Sequence, residues 1–280
     1  MTWLELDKEY VWHPYNSLPS KTKILPVIST NKTSIFLETG EVLIDAMSSW
    51  WSAIHGYNHP KLNDALKKQV EIMPHIMFGG LAHEQASLLS KKLVDLTGLH
   101  SVFLCDSGSV SVEVALKTAI LYQKAKGLKK YKFLALEHAY HGDTLGAMSV
   151  CDPQNSMHSI YGSYMSEHIF TKAPKLGFSS DCSDEIKILE DNFEKYHKEI
   201  AGFIVEPIVQ GAGGMRIYNP EYLKKARELC TKYDVLLILD EIATGFGHTG
   251  LMFAYEHANI KPDILTLGKG LTGGYMTMAA

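Results

Sequence analysis

Beyond residue 100 the chain reads as short apolar runs separated by longer stretches whose apolar positions recur every three or four residues. The runs at 101–105, 131–136, 202–205, 235–239 and 263–267 show almost no polar alternation, the pattern of strands covered on both faces. Between them, 109–126, 183–198 and 220–233 carry a helical period; the first gathers Val112, Ala115, Leu116, Ala119 and Ile120 on one side. This alternation predicts an α/β fold, a mostly parallel sheet between helices. Upstream, 35–44 reads as two short strands around Thr39-Gly40-Glu41, and 60–73 and 82–96 as amphipathic helices. Residues 150–183 lapse into Ser, His, Tyr, Gly and Pro and are read as a long irregular insertion, over a site or at a subunit contact. The organisation predicted is an N-terminal arm, 1–48, leading into a large domain, 49–280.

With 280 residues, 46% of them hydrophobic, the chain can bury a substantial core. A net charge of −4 supplies no field that would attract nucleic acid, so none is expected as a partner. The N-terminus carries acids where a signal peptide needs bases followed by an apolar run, and no segment approaches a membrane span. A cytoplasmic protein without a membrane partner is expected. Cys105, Cys151, Cys182 and Cys230 are far apart and fit reduced thiols better than disulfides or a zinc site.

The chemistry collects at the ends of the apolar runs. The run 235–239 ends in Asp240, and the last run leads into Leu267-Gly-Lys-Gly-Leu-Thr-Gly-Gly274. In a parallel sheet the carboxyl ends of strands border the ligand crevice. Lys269 between Gly268 and Gly270 has room for a bulky carbonyl ligand, and together with Asp240 suggests a Schiff-base lysine and a pyridinium partner for pyridoxal phosphate. A lone Gly-Lys-Gly is also compatible with a solvated loop lysine. An acid-tipped strand also suits a nucleotide hydrolase, but no phosphate loop of the Gly-x-x-x-x-Gly-Lys-Ser/Thr type occurs. After 101–105 comes Asp106-Ser-Gly-Ser109 at a helix start, where free N–H groups favour a phosphate; Ser109 either donates to it or caps the helix. After 131–136, Glu137-His-Ala-Tyr-His-Gly142 offers Tyr140 or His141 as a stacking face for a planar ring. His138 and His141 lack a third ligand, so no metal is expected. Glu206 adds another acid at the same edge. Each feature alone has a structural explanation; their conjunction at one edge points to a site.

With these residues in hand, the chain resembles the class III, fold-type I pyridoxal-phosphate aminotransferases, in particular the branch that serves biotin synthesis. The matching stretches are Trp12-His-Pro-Tyr15, Met47-Ser-Ser-Trp-Trp51 with Ile54-His-Gly-Tyr-Asn-His-Pro60, Asp106-Ser-Gly-Ser-Val110, Ala139-Tyr-His-Gly-Asp143, Met148-Ser-Val-Cys-Asp-Pro153, Leu239-Asp-Glu-Ile-Ala-Thr-Gly-Phe-Gly247 and the segment around Lys269. The resemblance implies pyridoxal phosphate held by Lys269 as a Schiff base, by Asp240 at the ring nitrogen, by Gly108 and Ser109 at the phosphate, and by Tyr140 beside the ring. It makes Lys269, Asp240 and Tyr140 the catalytic residues, with Tyr15, Trp50 and Trp51 joining Tyr140 and Lys269 around the substrate. It further implies a homodimer that moves an amine from S-adenosylmethionine to 8-amino-7-oxononanoate, giving 7,8-diaminononanoate. A class III transaminase of ω-amino acids, or a chain that binds cofactor without turnover, are the alternatives. Two departures accompany the resemblance: His248 follows Gly247 where such enzymes carry arginine, and the small C-terminal domain expected of them is missing after Ala280.

Overall fold

The computed structural model describes residues 1–154 and 158–280; residues 155–157, inside the region read as an insertion, lie outside the described residues. The chain divides into two compact units, Met1–Ile76 and Met77–Ala280.

The first unit opens with helix α1 (Trp3–Tyr10), whose start is fixed by a capping box between Thr2 and Glu5. Strands β1 (Val27–Asn31), β2 (Ser34–Leu37) and β3 (Val42–Ile44) form an antiparallel meander. The last two are the strands expected around Thr39-Gly40-Glu41. The exposed β1 carries no alternating signal. One turn, α2 (Ser48–Trp51), precedes helix α3 (Pro60–Ile72), which begins on Pro60, where a missing N–H costs nothing.

In the second unit, α4 (Glu84–Thr97) ends at Gly98 in the left-handed region. Then follow α5 (Gly108–Ala125), β4 (Lys132–Leu136), α6 (Leu145–Ser149), β5 (Ile169–Thr171), α7 (Ser183–Tyr196) and β6 (Ile200–Val205). The unit continues with the small ribbon β7 (Val209–Gln210) and β8 (Arg216–Ile217), then α8 (Pro220–Tyr233), β9 (Leu236–Asp240) and β10 (Ile264–Thr266). Five strands form one sheet in the order β10-β9-β6-β4-β5, every pair parallel. Because strand side chains alternate, the sheet loads two separate cores. Leu134, Leu136, Phe203, Val205, Leu237 and Leu239 pack with α7 and α8, while Phe133, Ala135, Ala201, Ile204 and Ile238 pack with α5 and α6. Apolar runs without polar alternation are the direct consequence.

Three expectations need correction. Residues 101–105 are not a strand: the segment makes a single antiparallel bridge, Cys105 to Ala279, through two hydrogen bonds of 2.9 and 2.8 Å. Its apolar pattern fits a strand, but beyond this one bridge the segment pairs with no strand among the described residues. Conversely, the supposedly irregular region contains β5, which pairs with β4 and is too short for a periodic signal. Asp240 is the last residue of β9 instead of the first beyond it.

At the amino rim of the sheet, two side chains tie strand starts together. Gln123, fully buried on α5, donates to the carbonyls of Ala201 and Asp234 at 3.2 and 3.1 Å. Lys130 donates to those of Tyr233 and Asp234 at 3.2 and 2.8 Å.

Candidate active site

The carboxyl rim is built differently. The register pairs Val205 with Leu239 and Asp240 with Thr266, so Glu206, Asp240 and Thr266 leave the sheet side by side, about 4.8 Å apart. Lys269 follows three residues later, opening a short 3₁₀ turn, Lys269–Thr272, with its own backbone at φ 42°, a conformation a lysine adopts only under tertiary constraint. Burial lowers the pKa of the Lys269 amine, while the charges of Asp240 and Glu206 act the other way. All three groups are thus within electrostatic reach of one another.

Asp240 is buried, and its neighbours fix both oxygens. Oδ2 accepts from His141 Nδ1 at 2.7 Å; Oδ1 accepts from the Ile242 amide at 3.1 Å and from the Thr266 hydroxyl at 3.3 Å. A carboxylate offers about four acceptor positions, so one remains for a further N–H donor. The His141 ring is fully enclosed; its Nδ1 proton serves Asp240, and Nε2 has no hydrogen-bond partner among the described residues. His141 is therefore a support for Asp240 and not the stacking face that the sequence offered as an alternative to Tyr140. Its own amide donates to Cys151 Sγ at 3.1 Å, and burial pushes that thiol up to about 12.

Tyr140 sits on the same loop. Its amide donates to Glu206 Oε2 at 3.2 Å, its hydroxyl donates to Asp143 Oδ1 at 3.0 Å, and its ring stacks on His158 at 5.9 Å between centroids. Asp143 also receives His158 Nε2 at 2.9 Å.

At the start of α5 the N-cap is Ser107, whose hydroxyl accepts from the Val110 amide at 3.4 Å. Ser109 is therefore not the cap. Its hydroxyl oxygen accepts the Asp143 amide at 2.7 Å, which leaves its proton to donate. Gly108 and Ser109 occupy the first turn of an eighteen-residue helix, where amides precede the first intrahelical bond and carry the positive end of the dipole. Two glycines make the corner. A side chain on Gly108 would press on Ile242 at 3.0 Å, and one on Gly142, at φ 122°, would come within 1.9 Å of Ser109 Oγ.

Tyr15, Trp50 and Trp51 belong to the first unit. All three have positive φ, at 60°, 53° and 70°, and Tyr15 and Trp50 lie 5.5 Å apart between ring centroids. Tyr15 and Trp50 are exposed, whereas Trp51 is half-buried. Bulky aromatics in left-handed backbone are uncommon and mark positions where shape outweighs local cost. His248, in place of the expected arginine, turns Nδ1 to the Gly245 carbonyl at 2.9 Å. Among the described residues no group of three or more His, Cys, Asp or Glu is placed to hold a metal ion.

The family model for aminotransferase class-III matches residues 18–280. The chain belongs to the class III aminotransferases. It is 50% identical over 277 residues to the adenosylmethionine-8-amino-7-oxononanoate aminotransferase of Buchnera aphidicola subsp. Schizaphis graminum (98% of this chain, 64% of the relative). Identity to the protein of that name from Saccharomyces cerevisiae is 46% (99% and 65%). Among solved structures, the adenosylmethionine-8-amino-7-oxononanoate aminotransferase of Methanocaldococcus jannaschii superposes with a TM-score of 0.91 at 34% identity (98% and 63%). A PLP-bound amine transaminase from an uncultivated Pseudomonas species gives 0.90 at 30% (96% and 64%). This class III chain thus spans just under two thirds of the length of these relatives, and its parallel sheet is that of fold-type I.

Pyridoxal phosphate, the group implied by this membership, fits the residues present. The carboxylate of Asp240 keeps an acceptor position for a ring N–H, Lys269 provides a desolvated amine, and the amides of Gly108 and Ser109 with the Ser109 hydroxyl suit a phosphate. The sequence had shown Asp240 and Lys269 by type and position. It had not shown His141 as the partner of Asp240, nor Gly142 as the space that admits Ser109. His141 follows Tyr140 by one residue, but its target lies 99 residues away, and no local pattern reports such a pairing.

Proposed function

We propose that this chain carries the pyridoxal phosphate site of a transaminase that moves an amine from S-adenosylmethionine to 8-amino-7-oxononanoate, giving 7,8-diaminononanoate in biotin synthesis. The observation that carries this reading is the placement of Asp240, fastened by His141, Ile242 and Thr266, within electrostatic reach of the Lys269 amine.

When bound, pyridoxal phosphate supplies an electron-accepting ring for the pair of electrons released as a proton leaves the substrate carbon. Asp240 would hold the ring's N–H, and a buried carboxylate there keeps that nitrogen cationic. His141, donating from Nδ1, keeps the Asp240 carboxyl from rotating. Burial of Lys269 favours the neutral amine, the form that attacks a carbonyl and can take a proton from a substrate carbon and return it. Gly108 and Ser109 would bind phosphate, and Tyr140, anchored through its amide and its hydroxyl, would hold the ring in place.

Tyr15, Trp50 and Trp51 are assigned to the substrate. An electron-rich ring face attracts a sulfonium, and the methylene chain of the oxononanoate needs apolar cover. The same reading includes a cytoplasmic homodimer and an arm, 1–48, that leads into the cofactor-binding domain. It is supported by the names and identities of the relatives.

The test has two steps. Visible absorbance is recorded after addition of pyridoxal phosphate, the protein is reduced with borohydride, and the modified peptide is mapped. Lys269 is the expected site, and an adduct confined to another lysine overturns the site assignment. Amine transfer to 8-amino-7-oxononanoate is then measured with several donors. Turnover of ω-amino acids, with no donor able to aminate the oxononanoate, would reject the substrate assignment while leaving the site intact.

A further inference from the structure

Glu206 has no role in the reading above, yet it sits at the middle of the rim. It leaves β6 beside Asp240 and is 5% exposed. Each oxygen of its carboxylate takes an amide from a different loop: Oε2 from Tyr140, after β4, at 3.2 Å, and Oε1 from Gly211, at the end of the β7 segment, at 3.0 Å. A carboxyl that accepts N–H bonds on both oxygens is suited to the ionised form. The Tyr218 hydroxyl, donating to the Glu206 carbonyl at 2.7 Å, fixes the backbone behind it. The titratable groups near Glu206 are the hydrogen-bonded pair His141 and Asp240, Lys269 from the turn after β10, Cys151 from the end of α6, and Tyr218.

We propose that Glu206 is a further positioning residue of the site: it pins the loop that carries Tyr140 to the turn at Gly211 and places a negative charge beside Asp240 on the rim that Lys269 follows. Asp240 alone is committed to three donors. A second carboxylate therefore lets the site hold a lysine cation without drawing on the one Asp240 position left for the cofactor. Burial, with Asp240 adding to it, pushes the Glu206 carboxyl up to about 7, while the His141 charge and the two amides pull it back. Its charge is thus present above neutrality and is lost as pH falls through that value. The inference rests on the proposed function for the meaning of Lys269, but its test needs no cofactor, so the two readings fail separately.

The test is the pH profile of Lys269 acetylation by trace acetic anhydride in the full chain, freed of cofactor. Modified peptides are quantified by mass spectrometry against an exposed lysine. Glu206→Gln removes the charge and keeps the size. Loss of one opposing charge disfavours the lysine cation, so acetylation well above neutrality, where Glu206 is ionised, should rise about tenfold, and the two chains should converge below neutrality. Glu206→Asp keeps the charge and should stay within about twofold of the wild type. In the wild-type chain the logarithm of the rate should bend near pH 7, because the charge on Glu206 disappears there, and in Glu206→Gln the line should be straight. A folded Glu206→Gln chain with wild-type rates overturns the proposal. Should that variant not fold, a wild-type profile without the bend overturns it equally.

Discussion

Replacing Gly142 by alanine tests the corner that brings Ser109 and Asp143 together. The new methyl would stand 1.9 Å from Ser109 Oγ, 2.8 Å from its Cβ and 2.9 Å from its Cα. The hydroxyl can rotate away, but the Cα belongs to the first turn of α5 and cannot move without the helix. Rotation also breaks the hydrogen bond from the Asp143 amide, 2.7 Å long and partly open to water. Such a bond contributes about 0.5–1 kcal/mol. A side chain at φ 122° adds about 1–3 kcal/mol of backbone strain. The sum is a loss of about 1.5–4 kcal/mol, readable by urea denaturation. Adding Ser109→Ala relieves only the clash with Oγ; the new methyl still presses on the β-carbon and on the helix backbone, so the double variant should recover less than half of the loss. Amide exchange of Asp143 should accelerate in both. A Gly142→Ala chain within about 0.5 kcal/mol of wild type, with Asp143 still protected, would refute the geometry of the corner.

Lys269→Ala should abolish the borohydride-fixed adduct and leave the unfolding transition near that of the wild type, checked by intact mass and thermal melting. Glu241, buried and raised to about 7 by desolvation, accepts from Thr244 and Tyr255 at 2.6 and 2.9 Å. Because its carboxyl binds its proton more tightly folded than unfolded, its contribution to stability is complete below about pH 4.5 and declines as pH rises through about 7. Glu241→Gln should flatten the dependence of unfolding free energy on pH across that window, measured by denaturant titrations at several pH values. Cys151 and Cys230, buried with thiols raised by desolvation, should resist Ellman's reagent in the native chain and react once urea unfolds it.

How far the sequence reaches differs from element to element. Helix α8 coincides with the expected 220–233, because every local signal agrees: Asn219 as cap, Pro220 in the first turn, a clean apolar stripe, and Asp234 in the left-handed region to stop it. Asp240 was legible because a strand buried on both faces leaves an acid no reason to be there except its exit. By contrast, the pattern at 101–105 was that of a strand, and only the ladder decides whether one forms. The three residues of β5 were illegible for the opposite reason: pairing made a strand where no periodicity exists. Glu206 was visible as an acid, but its two amide donors come from loops 66 and 5 residues away, a fact of topology and not of spacing. The His141–Asp240 pair and the approach of Gly142 to Ser109 belong to the same class.

The bonds of Gln123 and Lys130 give the sheet one seam stitched to backbone carbonyls alone, opposite the open margin that Glu206 and Asp240 hold with carboxylates. On the stitched side, a neutral amide and an ammonium grip peptide carbonyls of β6 and of the turn between α8 and β9, interactions indifferent to which molecule the protein handles. On the open side, charges lie in reserve for a guest. Changes to the open margin should therefore alter what the protein recognises, whereas cutting a stitch on the opposite margin should loosen the whole fabric without changing its tastes.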